Sequence, residues 1–128
     1  MPRSLAHQTA SPEARAAVVT KAVLRAADLL DVKSNVLARV IGVSEPTLSR
    51  MRKGSSVVEP NQKPFELAVL FVRMYRSLDA IVGGEEAVAR AWLKNDNTSL
   101  HGKPVDLIQS VPGLIDVVNY LDARRAPV

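Results

Sequence analysis

The stretch SNVLARVIGVSEPTLSRMRKG, residues 34–54, narrows most what this 128-residue chain folds into. Ala38 is small enough for two helices to cross closely, and Gly42, four residues on, suits the left-handed backbone that ends a helix. Ser44 then reads as an N-cap. Glu45 and Pro46 follow in the first turn, where a carboxylate complements the helix dipole and a missing N–H costs little. Leu48 and Met51, three apart, turn one face of the second helix inward onto Val40, Ile41 and Val43. The spacing predicts helices at about Asn35–Ile41 and Glu45–Lys53, closed by Gly54. The second presents Glu45, Pro46, Ser49, Arg50 and Lys53 outward, with Arg52 at the flank, which leaves it a polar and basic outer face.

Ala38, Gly42, Ser44, Leu48, Ser49, Arg50, Met51 and Gly54 together resemble the Xre-type helix-turn-helix, a family of phage-repressor-like domains whose second helix reads DNA. The resemblance implies operator DNA as a partner and a DNA-facing set of Ser44, Glu45, Thr47, Ser49, Arg50 and Lys53. Arg50 and Lys53 are expected on phosphates or bases, and Ser49 near a base edge. Glu45 departs from the pattern. Such domains often carry a neutral donor there, and an acidic group faces phosphates poorly unless it accepts from a cytosine amine. Repressors of this kind pair their recognition helices on symmetric half-sites, which implies a homodimer.

Charge agrees with that placement. The chain carries +4, and residues 33–63, with six basic and two acidic side chains, account for all of it. A basic patch confined to one lobe is the footprint of a nucleic-acid contact, or of a solvated face. An apolar share of 47% is ample for a core, and no stretch alternates apolar and polar residues for long, so the expected fold is all-α. There is no cysteine, which excludes disulfides and thiolate metal sites. The longest apolar run, Ala68 to Val72, is far too short to span a bilayer, and the N-terminus lacks an apolar targeting core, so a cytoplasmic protein without a membrane partner is expected.

In chain order, residues 1–10 show no periodicity and are expected to form a flexible arm. Ser11 caps a first helix opened by Pro12 and running to about Asp31, with a stripe of Val18, Ala22 and Leu29 flanked by Val19, Val23, Ala26 and Leu30. The helix-turn-helix domain thus occupies 11–62. SSVVEPNQKP reads as a loop. A helix from Phe65 to about Val82 is apolar around most of its circumference, so segment 63–84 either bridges two lobes or lies in a homodimer interface. Gly83 and Gly84 stop it. Glu85 and Glu86 open a helix through Lys94 with Val88, Ala91 and Trp92 inward. Pro104 starts a short helix, PVDLIQS, and Val111-Pro112-Gly113 separates it from a last helix, LIDVVNYLDARR, with Leu114, Val117, Val118 and Leu121 buried and Asp116, Asn119, Asp122 and Arg125 outward.

Within 85–128, Trp92, Leu93, Asn97, Leu100, Gly102, Pro104, Leu107, Gly113, Val117, Val118 and Leu121 resemble the Xre/MbcA/ParS toxin-binding domain. The resemblance implies a type II antitoxin: a helix-turn-helix lobe joined by a long buried helix to a small helical toxin-binding lobe. Its implied partner is a RES-domain toxin that depletes NAD and is silenced by the C-terminal region. Tyr120, Arg124, Arg125 and Val128 are the toxin-binding candidates, on an end able to cover or enter the toxin's pocket, where arginine pairs well with carboxylates. Trp92 reads as core, with an interface anchor as the alternative.

A catalytic reading has poor raw material. His7 and His101 lie far apart, without cysteine or a convergent carboxylate cluster, and no glycine-rich stretch has a lysine placed to cradle phosphate. No enzyme, cofactor, metal or small-molecule substrate is expected. Two other classes fit the same residues: a stand-alone regulator whose C-terminal lobe only dimerises, and an adaptor whose helix-turn-helix pairs subunits, which Glu45-Pro46 favours.

Overall fold

A computed structural model of the chain describes residues 11–125. The expected N-terminal arm at 1–10 and the candidate Val128 lie outside the described residues. Among those described, the chain is all-helical, with α1 (Pro12–Leu29), α2 (Ser34–Ile41), α3 (Glu45–Lys53), α4 (Lys63–Ile81), α5 (Glu86–Lys94), α6 (Pro104–Leu107) and α7 (Val111–Arg125). An isolated bridge between Asn97 and Gly102 is the sole extended pairing among them.

The N-terminal helix starts as its sequence dictates, the Ser11 hydroxyl accepting from the Ala14 N–H at 3.1 Å. It ends sooner than the expected Asp31. Asp31 takes a left-handed backbone (φ 55°), which a short polar side chain tolerates, and the Val32 N–H returns to the Ala27 carbonyl at 2.8 Å. The buried face also differs from the expected stripe. Val18 is 65% exposed, while Ala16, Thr20, Val23, Ala26, Ala27 and Leu30 are buried. Thr20 is the reason: its hydroxyl donates to the Ala16 carbonyl at 2.7 Å and accepts from the Val58 N–H at 2.9 Å, so the loop after α3 closes over that side. A buried polar group held on both sides costs little, and it sets which way α1 faces.

Around α4 the other helices assemble: α1, α2, α5 and α7 all pack on it. Leu67, Ala68, Phe71, Met74 and Leu78 are buried along its length, in one core continuous from Val23 of α1 to Leu121 of α7. Each large apolar side chain so buried contributes about 1.5–3 kcal/mol. The helix begins two residues before the expected Phe65, because Pro64 sits in its first turn. Ile81, at its far end, is exposed. Three polar ties join the two ends of the chain. Arg39 Nε donates to Gln109 Oε1 at 2.8 Å, Arg90 Nη1 to the Leu29 carbonyl at 3.2 Å, and Lys94 Nζ to Asp31 Oδ2 at 2.7 Å. The Lys94 hydrogen bond and charge hold the Asp31 carboxyl below its ordinary value of 3.8.

In the C-terminal part, α5 presents Ala89 and Leu93 inward. Val88 and Ala91, expected inward, face solvent, and Trp92 is half-buried. Docking of α5 on α6 and α4 turned it by about one residue from the face its sequence favours. The short helix ends at Leu107, not at Ser110, and Val111-Pro112-Gly113 is no separator but the first turn of α7. Ser110 explains both, because its hydroxyl accepts from the Gly113 N–H at 3.1 Å as an N-cap does, and Pro112 is tolerated in a first turn.

Gly113 is buried where the two helices meet. A Cβ there would stand 1.9 Å from the Leu107 carbonyl oxygen and 2.7 Å from its carbon, both backbone atoms that move only with α6 itself. Gly113→Ala is therefore expected to lower unfolding free energy by about 2 kcal/mol, read from chemical denaturation. An unchanged midpoint would mean that the α6–α7 junction shifts freely.

Candidate nucleic-acid and partner interfaces

The α2–α3 corner is built by the chain's local chemistry. Gly42 (φ 77°) ends α2, its N–H bonding the Ala38 carbonyl at 2.9 Å, and Gly54 (φ 84°) ends α3. Ser44 caps α3 by accepting from the Thr47 N–H at 3.1 Å. Its hydroxyl also donates to Thr47 Oγ1 at 2.9 Å, and Arg50 Nη2 donates to the same oxygen at 3.0 Å. Leu48 and Met51 are buried beneath, while Glu45, Ser49, Arg50 and Lys53 are exposed. All six DNA candidates thus lie on one corner, but Thr47 is half-buried and its hydroxyl is taken up in aiming Arg50. Ser44→Ala is expected to cost about 1 kcal/mol, seen as a lower thermal midpoint, since it removes the cap and loosens the ladder to Arg50.

Not every cation of the basic segment is available to a phosphate. Arg52 bonds Ser34 Oγ at 2.9 Å and pairs with Asp28 at 3.1 Å, tying α3 to α2 and α1. Arg39 is held by Gln109, and Lys63 pairs with Glu66 at 3.6 Å. Arg50 and Lys53 have no carboxylate partner among the described residues, and Lys33 stands near Asp31, whose carboxylate Lys94 already holds. The field of this face therefore centres on α3 and the start of α2.

At the other end, α7 brings three of the partner candidates to the surface. Tyr120 stacks on Trp92, ring centroids 6.2 Å apart and planes 25° from parallel, and the Arg124 guanidinium lies 4.3 Å over the Tyr120 ring. Trp92 is thus packed on the core and, at the same time, the base of a surface column, so the two readings of its sequence position are not exclusive. An arginine stacked on an aromatic face loses little further freedom when it pairs with an incoming carboxylate. Arg125 is placed differently: Nη1 lies 3.4 Å from Ser77 Oγ, back along α4. Asp122, expected outward, is half-buried instead. Ser77 Oγ donates to its Oδ1 at 2.7 Å, and Arg73 pairs with its other oxygen. The signal for this pairing was the lone serine on the apolar face of α4.

Asn97 Oδ1 accepts from the Leu100 N–H at 3.0 Å and shapes the loop before α6, on which His101 is exposed. Among the described residues, no group of three or more His, Cys, Asp or Glu is placed to hold a metal. No helix among them is long and apolar enough to cross a membrane.

Comparison with known families finds two matches. The antitoxin Xre-like helix-turn-helix domain matches residues 10–73, half of the chain. The antitoxin Xre/MbcA/ParS C-terminal toxin-binding domain matches residues 77–126. A comparison with curated proteins finds no match. The α3 corner lies within the first matched region, and the Trp92–Tyr120–Arg124 column within the second.

Proposed function

Since the chain belongs to the Xre-like helix-turn-helix antitoxins and carries an Xre/MbcA/ParS toxin-binding domain, we propose that it silences a RES-domain, NAD-depleting toxin by covering that toxin's active site. A homodimer of the chain then carries α3 to operator DNA and represses the operon that encodes both proteins. The observation that supports this reading is the division of labour along the chain. Arg50 and Lys53, exposed and without a carboxylate partner among the described residues, lie on the helix-turn-helix corner, and the stacked Arg124 lies past Leu121, the last buried residue of α7. Tyr120, Arg124 and Arg125 form the toxin-facing end. Ser49, Arg50 and Lys53 face DNA, with Thr47 positioning Arg50. Steric occlusion needs no chemistry from the antitoxin, and a NAD-consuming target places both partners in the cytoplasm.

The test is co-expression with the protein encoded by the neighbouring reading frame. A complex that survives gel filtration, together with restored cellular NAD when the antitoxin is induced, is the expected result. A neighbour with RES character that neither binds this chain nor loses activity in its presence refutes the proposal.

A further inference from the structure

Between α1 and α4 runs an open apolar trough that meets the toxin-facing end only at Arg125. Val18, Val19 and Ala22 form one wall, and Val69 and Val72 the other. Val18 and Val69 are 65% and 42% exposed, Val18 the most exposed of the large apolar side chains among the described residues. The trough continues past Ala22 and Val72 to Leu29 and Tyr75, so its walls are at least two helical turns long, about 11 Å. Cations rim it on both sides: Lys21 and Arg25 on α1, Arg73, Arg76 and Arg125 opposite. The acids nearby are already engaged or lie at one end. Asp122 pairs with Arg73, Glu86 pairs with Arg90 at 3.7 Å, and Asp79 stands near Tyr75.

We propose that this trough is a docking site for an acidic amphipathic helix of a protein partner, its apolar stripe against the valines and its carboxylates on the arginine and lysine rim. Charge complementarity selects that occupant. A second copy of the chain offering the same face sets cation against cation on both rims, because a two-fold interface brings one patch onto itself. Duplex DNA matches the rim but leaves the valine floor unfilled. Lys21, Arg25 and Arg76 have no ion-pair partner among the described residues, and a helix carrying glutamates at its flanks supplies one to each. Val19, Val72 and Tyr75 pack on the core beneath, and the trough reaches Arg125, so a partner bound there is felt at the end of α7.

The full chain is titrated with a fluorescent synthetic helix bearing leucines at i, i+3, i+4 and i+7 and glutamates on both flanks, and with the same peptide carrying lysines for the glutamates. The acidic peptide is expected to bind at least about tenfold more tightly than the basic one. Val69→Asp and Arg76→Glu, both at exposed positions and checked for helicity, are each expected to weaken it by about tenfold, while operator binding stays unchanged. Equal binding of the two peptides, or full affinity in both variants, overturns the proposal. So does a dimer in sedimentation equilibrium that Val69→Asp converts to monomer, which places a second copy in the trough. Operator affinity lost in Arg76→Glu assigns the rim to DNA and likewise overturns it.

Discussion

Cutting the chain after Asp122 is expected to abolish neutralisation of the toxin while leaving the fold standing. The cut falls just beyond the last core residue, Leu121, which is 1% exposed, and it spares Asp122, whose carboxylate is held by Ser77 and Arg73. What goes with the removed residues is the Arg124 contact to the Tyr120 ring and the Arg125 contact to Ser77. The cation–ring contact is worth about 0.5–1 kcal/mol in stability, and Ser77 keeps its bond to Asp122 when Arg125 is gone, so circular dichroism and the denaturation midpoint change little. Binding behaves otherwise. If the end of α7 and the tail fill the toxin's pocket, they hold its hot spot, and losing Arg124 from its place over the Tyr120 ring costs at least about 2–4 kcal/mol, a thirtyfold to thousandfold drop in affinity. Calorimetry on the purified pair and growth of toxin-expressing cells are the readouts. Undiminished affinity in the truncated chain moves the toxin interface off the end of α7. Tyr120→Ala in the full chain separates the column from the tail, because it removes the ring while leaving every removed residue in place.

The helix-turn-helix was legible because its determinants are local. Gly42, Ser44, Pro46 and Gly54 act through backbone dihedrals and a hydrogen bond spanning three residues, and each does in the structure what its sequence position implies. The faces of α1 and α5 were not legible, because they are decided at a distance. Nothing near Val18 says that it stays in solvent. That follows from Thr20 meeting the Val58 N–H, thirty-eight residues away, and from Val58 being buried. In α5 the sequence favours Val88 over Ala89 by hydrophobicity, yet the close approach of neighbouring helices takes the smaller side chain inside. Gly113 was misread as a linker for a related reason. Val-Pro-Gly is turn chemistry in isolation, and only the Leu107 carbonyl packed against it shows why a residue without a Cβ is needed inside a helix. At the end of α7, position alone singles out Tyr120 and Arg124 as candidates, but the contact of Trp92 with Tyr120 depends on a stacking geometry between residues twenty-eight apart.

Replacing both Arg50 and Lys53 with alanine is expected to weaken operator binding by about two orders of magnitude at moderate salt. The two are the cations on the exposed face of α3 that no carboxylate neutralises among the described residues; Arg52, next to them, is spent on Asp28 and Ser34. Arg50 also arrives pre-aimed by Thr47, so little of its freedom remains to be lost on binding. Each phosphate contact releases condensed counterion, and the slope of log affinity against log salt is expected to flatten by about two per recognition helix, about four for a dimer on two half-sites. Arg52→Ala is the informative control: it loosens α3 from α1 without removing an outward charge, so its loss in affinity shows little change in slope. Glu45→Gln tests the remaining departure from repressor-like sequences, since removing a carboxylate that faces the duplex should strengthen binding unless it accepts from a cytosine amine. Fluorescence anisotropy at several salt concentrations distinguishes these outcomes. A double variant that binds the upstream DNA as wild type does, with the same slope, takes α3 off the DNA and returns this corner to a role in pairing subunits.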